Sequence, residues 1–187
     1  MKVFVALSGG VDSSVAAALL QRQGFAVCGV FIKIWEPDLG PCRWREERRE
    51  AMRVAAQLKI PFQTVDLSQP YRQAVVDQLL SEYRQGRTPN PDVCCNQQIK
   101  FGALWSWAKQ RGMDFFATGH YAQISKIDSR YYLTMAKDKT KDQTYFLWNL
   151  PPDRLAKTLF PIGAYQKSQV RQLARKFSLT TADKPDS

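Results

Sequence analysis

The sequence predicts an α/β fold, a doubly wound parallel sheet with helices on both faces. Short apolar runs of strand length alternate with segments whose apolar residues recur at helical spacing, which is the signature of βαβ units. The first run also ends in a glycine loop that opens a helix, the arrangement expected at a ligand-binding edge of such a sheet.

The elements follow in order. Lys2–Leu7 is apolar and stops at Ser8-Gly9-Gly10, as a buried strand ending in a tight loop does. Val11, Val15, Ala18 and Leu19 share one helical face, and Gly24 closes that helix. Ala26–Ile32 reads as a second strand, Ala51, Val54, Ala55 and Leu58 as a helix face, and Phe62–Val65 as a third strand. Val76, Leu79, Leu80 and Tyr83 predict a third helix; Phe101, Leu104, Trp105 and Ala108 predict a fourth, leading into a strand at Phe115–Thr118. The pattern then changes. Gln123–Ile127 and Tyr131–Ala136 predict a hairpin, Pro151-Pro152 punctuates the chain, and Val170, Leu173, Ala174 and Phe177 mark a last helix. Two units are expected: residues 1–147, and from residue 148 the beginning of a partial helical second module whose apolar face is left exposed.

The chain has 187 residues, 44% of them hydrophobic and 24% charged, which excludes disordered and low-complexity classes. No apolar run reaches the ~18 residues of a membrane span, and the amino terminus has no secretory pattern. Four cysteines are too few for a disulfide scaffold. A cytoplasmic protein with no membrane partner is expected. Lys and Arg number 27 against 17 Asp and Glu, a formal charge of +10. The excess is densest after residue 125, where 12 basic residues face 6 acidic ones. Such a surface suits a polyanion, though it also suits plain solvation.

Ser8-Gly9-Gly10-Val11-Asp12-Ser13-Ser14 lies between a predicted strand and a predicted helix, where backbone amides, hydroxyls and the helix dipole converge on an anion. The alternative is a bare Gly-Gly turn with Asp or Ser capping the helix, and the strand-loop-helix order favours anion binding over it. Asp12 suits an accompanying Mg²⁺ ion. The loop lacks the Gly-Lys-Ser/Thr ending of a Walker loop. It resembles the pyrophosphate loop of enzymes that split ATP into AMP and pyrophosphate, whose sheet is of the Rossmann-like, adenine nucleotide alpha hydrolase type.

A second loop, Gly86-Arg87-Thr88-Pro89-Asn90-Pro91-Asp92-Val93-Cys94-Cys95-Asn96, is stiffened by prolines. It places Cys95 near a helix amino terminus, where thiolate character is favoured, with Asp92 close enough to exchange a proton. Both loops, together with Thr118-Gly119-His120-Tyr121 and Lys141-Asp142-Gln143-Thr144-Tyr145-Phe146-Leu147, resemble the tRNA-specific 2-thiouridylase family in order and spacing.

That resemblance implies ATP-dependent 2-thiolation of a wobble uridine in tRNA, a sulfurtransferase reaction. It implies that Ala6, Leu7, Ser8, Gly9, Gly10, Val11, Asp12, Ser13 and Ile32 contact ATP, with Gly119 near the nucleotide. Asn90, Pro91 and Asp92 would hold the target base. Cys95 would be the nucleophile, and His120, Lys141, Asp142 and Gln143 would contact tRNA. ATP with Mg²⁺ would be required, and a persulfide-carrying protein would supply sulfur. Cys94 stands where the family is usually apolar and reads as packing. The family's second cysteine follows the stretch resembling Lys184-Pro185-Asp186-Ser187, where this sequence stops. The expectation is therefore a part of a longer protein that binds ATP and adenylates the base. Neither Cys28, in a predicted strand, nor Cys42, in the polar insertion Lys33–Trp44, takes that second cysteine's place. The alternatives are another AMP-forming synthetase with the same loop, and a non-catalytic nucleotide- or tRNA-binding module.

Overall fold

The computed structural model describes residues 1–34 and 44–185, so Cys42 and the last two residues lie outside it. Five parallel strands form one sheet in the order β3 (Phe62–Asp66), β2 (Ala26–Lys33), β1 (Lys2–Ala6), β4 (Phe115–Ala117), β7 (Thr158–Leu159), and β5 (Gln123–Ile127) and β6 (Arg130–Thr134) form a separate hairpin. The strands β1 (Lys2–Ala6), β2 (Ala26–Lys33) and β3 (Phe62–Asp66) are joined by α1 (Val11–Arg22) and α2 (Trp44–Leu58). Alternation along β1 sorts its side chains. Val3, Val5 and Leu7 face α1 and α2, packing with Ala17, Leu20, Ala51 and Ala55. Phe4 faces the opposite layer with Cys28, Ile99, Phe101 and Trp105.

That opposite layer is built from two broken helices. The first runs through α3 (Ser68–Tyr71), a π-helical segment Arg72–Val76 and α4 (Asp77–Arg84); the second through α5 (Pro91–Cys94), a π-helical segment Cys95–Leu104 and α6 (Trp105–Lys109). The π turns correct one expectation. In the first broken helix Val75 is buried, whereas Leu80 and Tyr83 are exposed, because the wider turn rotates the inward face away from the positions a 3.6-residue period marks. In the second, Phe101, Leu104, Trp105 and Ala108 are all buried as expected.

After β4 (Phe115–Ala117), β5 (Gln123–Ile127) and β6 (Arg130–Thr134) meet through a two-residue turn in which Asp128 and Ser129 both have positive φ. The chain then passes α7 (Pro152–Leu155) to β7 (Thr158–Leu159), a two-residue edge strand parallel to β4, and ends with α8 (Lys167–Lys176). The apolar face of α8 was expected to be exposed. Instead Val170 and Ala174 are fully buried with Val11, Val15 and Ala18 of α1. Residues after 148 thus add a strand to the sheet and a helix to the core. Among the described residues no helix is long and apolar enough to cross a membrane.

Candidate functional site

The strand order places β2 on one side of β1 and β4 on the other, so a crevice opens beyond the carboxyl ends of β1 and β4. A cleft of ≈ 440 Å³ lies there. Ala6, Leu7, Ser8, Asp12 and Ser13 line it, with Ile32 from β2 and Gly119 and His120 from the loop after β4. Asp92, Cys95 and Gln143 also line it, so four separate sequence motifs meet in one cleft. Gly9, Gly10, Val11, Asn90, Pro91, Lys141 and Asp142 are not in its wall.

The loop after β1 is held by its own hydroxyls. Ser13 Oγ accepts from Ser8 N at 3.2 Å, and Ser14 Oγ donates to Gly10 O at 2.7 Å. Gly9 has φ +76°, and a Cβ there would stand 2.4 Å from the Glu47 carbonyl oxygen of α2. Gly119 is equally constrained: its Cβ would stand 2.6 Å from Ser13 N. The loops after β1 and β4 therefore touch backbone to backbone.

Asp12 corrects the expectation of a metal ligand. Lys167 Nζ donates to both carboxylate oxygens at 2.8 Å, and the Tyr121 hydroxyl donates to Oδ1 at 2.9 Å. Among the described residues no group of three or more His, Cys, Asp or Glu side chains converges to hold a metal ion. The residues present do not fit a Mg²⁺ ion ligated directly by Asp12. Lys184 Nζ also reaches the loop, donating to Gly9 O at 3.0 Å. These two cations come from beyond residue 160, and the spacing of the loop motif gives no sign of them.

Asn90 caps α5, its Oδ1 accepting from Asp92 N at 3.0 Å and Val93 N at 3.3 Å, and Pro91 occupies the first turn. Asp92 projects into the cleft from an exposed position. Cys95 lies a full turn further on, not at the helix terminus. Burial pushes its thiol up from the ordinary value, Asp92 and Cys94 add to the rise, and Lys100 opposes it. The expected low-pKa thiol is thus corrected, because a helix amino terminus acts only within its first turn. Cys94 donates to Ala74 O at 3.0 Å and packs against the core, and Cys28 is buried in β2.

His120 shares a 2.8 Å hydrogen bond with Thr118 through Nδ1 and packs against the rings of Phe101 and Phe160, which also meet each other. Burial, then the charge of Lys100, holds its pKa well below the ordinary value, so the ring is neutral at pH 7. Gln143 is tied to Tyr121, accepting from its N–H through Oε1 at 2.9 Å, and so offers N–H donors in the cleft wall. Asp142 holds its own loop, accepting from Ala136 N at 2.7 Å and Thr144 Oγ1 at 2.5 Å. Lys141 is exposed, as are the aromatic side chains of Tyr145 and Trp148 nearby in sequence. Sequence reasoning also missed Lys100 and Tyr71, which line the cleft from the two broken helices.

Fold and site together define a Rossmann-like α/β protein with a glycine loop at the switch point of its sheet. Solved structures of that fold include a tRNA thiolase, NcsA, from Methanococcus maripaludis, with TM-score 0.62 and 18% identity over 100% of this chain and 59% of that one. A 4-thiouridine synthetase solved with RNA and ATP gives TM-score 0.64 and 17% identity over 98% of this chain and 42% of that one. An NMN synthetase from Francisella tularensis gives 0.55 and 19%, over 100% and 66%. These likenesses establish the fold. The chain itself belongs to the tRNA methyl transferase HUP domain family, which matches residues 1–187. Relatives named tRNA-specific 2-thiouridylase MnmA include one from Flavobacterium johnsoniae, 50% identical across the whole of this chain and 49% of its own length. Another, from Listeria monocytogenes, is 47% identical across the whole chain and 51% of its own length. The chain spans about half the length of the curated relatives it matches.

Proposed function

We propose that this chain is the ATP-binding, uridine-activating part of a tRNA-specific 2-thiouridylase, acting in the cytoplasm. The observation that carries the reading is the convergence of the pyrophosphate loop, the Asp92–Cys95 turn and the His120 and Gln143 wall on one cleft.

In this reading ATP lies with its β- and γ-phosphates at the amides of the loop after β1 and its adenosine toward Ile32 and Gly119. Asn90, Pro91 and Asp92 border the flipped-out wobble base, and the N–H groups of Gln143 hydrogen-bond its carbonyls. Lys141, Tyr145 and Trp148 meet the RNA through phosphate and stacking contacts. The uridine 2-oxygen attacks the α-phosphorus and pyrophosphate leaves toward the loop amides, which gather its charge. The terminal sulfur of a cysteine persulfide on a carrier then bonds to C2, and AMP leaves with the former 2-oxygen. Cys95 attacks the carrier's own sulfur, forming a disulfide with it as the C2–S–S link breaks and 2-thiouridine is released. In this reading the boundary between this catalytic part and a tRNA-binding module falls at residue 148, with β7 pairing to β4 and α8 packing on α1.

The test is AMP and pyrophosphate release from ATP, with and without unmodified tRNA bearing a wobble uridine. AMP formed only with that tRNA supports the reading. AMP formed without it assigns a small-molecule synthetase instead, and nucleotide binding with no AMP assigns a non-catalytic module.

A further inference from the structure

The helix carrying Cys95 is wound with an unusual register. From Cys95 to Leu104 it is π-helical, and at its end Trp105 N–H donates to Lys100 O, five residues back. Gly102 makes room for this winding, because a Cβ there would stand 2.9 Å from Gln97 O, again five residues earlier. Arg154 from α7 donates to the Phe101 carbonyl within the same stretch. At about 100° per residue, an ordinary α-helix would set Lys100 about 140° around the axis from Cys95. In turns that close at five residues, with about 82° per residue, the residue five on lies only about 50° around from the first. Both residues accordingly line the cleft.

We propose that Lys100 is a positioning residue for the Cys95 sulfur: the π register brings its ammonium onto the cleft face, where it sustains the reactive, anionic form of the thiol. The surroundings otherwise disfavour that form. Asp92 and Cys94 from the same helix stand near the sulfur, and Tyr71 from α3 feels the charge of all three groups. His120, from the loop after β4, is neutral, and Asp12 and Glu47 belong to other parts of the cleft lining. Lys100 opposes both the burial of Cys95 and its acidic neighbours, and it is the charge that also helps keep His120 unprotonated. Such π turns recur at functional sites because they aim side chains that a regular helix would separate.

This deepens the reading of Cys95 as the reacting thiol, yet its test requires neither ATP nor tRNA, so the two can fail separately. Alkylation of Cys95 by iodoacetamide is followed from pH 6 to 10 by peptide mass spectrometry, in a Cys94→Ala background that leaves one thiol in this turn. Lys100→Met slows the reaction at pH 7.5 by about tenfold, as a rise of one pKa unit does, and moves the profile to higher pH. Lys100→Arg keeps the wild-type profile. Gly102→Ala, which crowds the Gln97 carbonyl, moves it in the Lys100→Met direction. Circular dichroism monitors folding; if the methionine variant unfolds, Lys100→Gln carries the same comparison. A Lys100→Met profile superimposed on wild type, or an arginine variant as slow as the methionine one, overturns the proposal.

Discussion

Replacing Gly119 by alanine tests whether the two loops at the sheet's switch point form one rigid cradle. A Cβ at residue 119 would stand 2.6 Å from Ser13 N, 2.8 Å from Asp12 C and 2.9 Å from Ser13 Cα. All three are backbone atoms, so no side chain can swing aside and the loops must part. Overpacking of this kind costs about 1–3 kcal/mol. At about 2 kcal/mol, a chain of this size loses about 4–8 °C in Tm. In the proposed reading the displaced amides also lose their aim at the phosphates, and one charge-assisted hydrogen bond lost weakens ATP binding by about tenfold or more. Scanning calorimetry with and without ATP reads both effects. A Gly119→Ala protein that melts like wild type and gains the same stabilisation from ATP would refute the cradle.

Other consequences follow from the same geometry. Lys167→Met leaves the Asp12 carboxylate without its ammonium partner in a part-buried site, costing about 1–3 kcal/mol in urea unfolding. Adding Asp12→Asn should recover part of that loss, and a Lys167→Met protein as stable as wild type would show the pair to be idle. Cys95→Ser should leave ATP affinity unchanged, since the proposed reading puts the thiol on the base side of the cleft; a tenfold loss in nucleotide titration would deny that division. His120 gives a pH signature. Its folded pKa lies well below the ordinary value, so below about pH 6.5 the unfolded chain binds a proton that the folded one does not. Stability must therefore fall as the pH drops through that value, by at most about 1.4 kcal/mol per pH unit from this group. Urea unfolding at pH 7.5 and 5.5 should show the fall in wild type and a smaller one in His120→Gln; an undiminished slope would assign it to other groups.

Much of the fold is legible in the sequence for a simple reason. Strands buried on both faces read as continuous apolar runs, so Lys2–Leu7 and Ala26–Ile32 are plain, and the strand-loop-helix order around Ser8-Gly9-Gly10 needs no distant partner. Other features depend on energies that local pattern does not carry. Thr158–Leu159 is too short to show a period, and it becomes a strand only because β4 offers a free edge. The π turns shift the buried face to Val75, and no 3.6-residue template anticipates that shift. In the site, motif spacing identifies Cys95 and Asp92 but not the burial that raises the thiol. The partner of Asp12 is 155 residues away in sequence and becomes its neighbour only through the packing of α8 on α1.

The central claim is that the uridine 2-oxygen is activated by bonding to the α-phosphorus of ATP in this cleft. Its most direct test uses tRNA labelled with ¹⁸O at the 2-oxygen of the wobble uridine, with hydrosulfide as the sulfur source in place of the carrier. The account predicts that the AMP released carries the ¹⁸O label. AMP formed with the tRNA but free of label would contradict it.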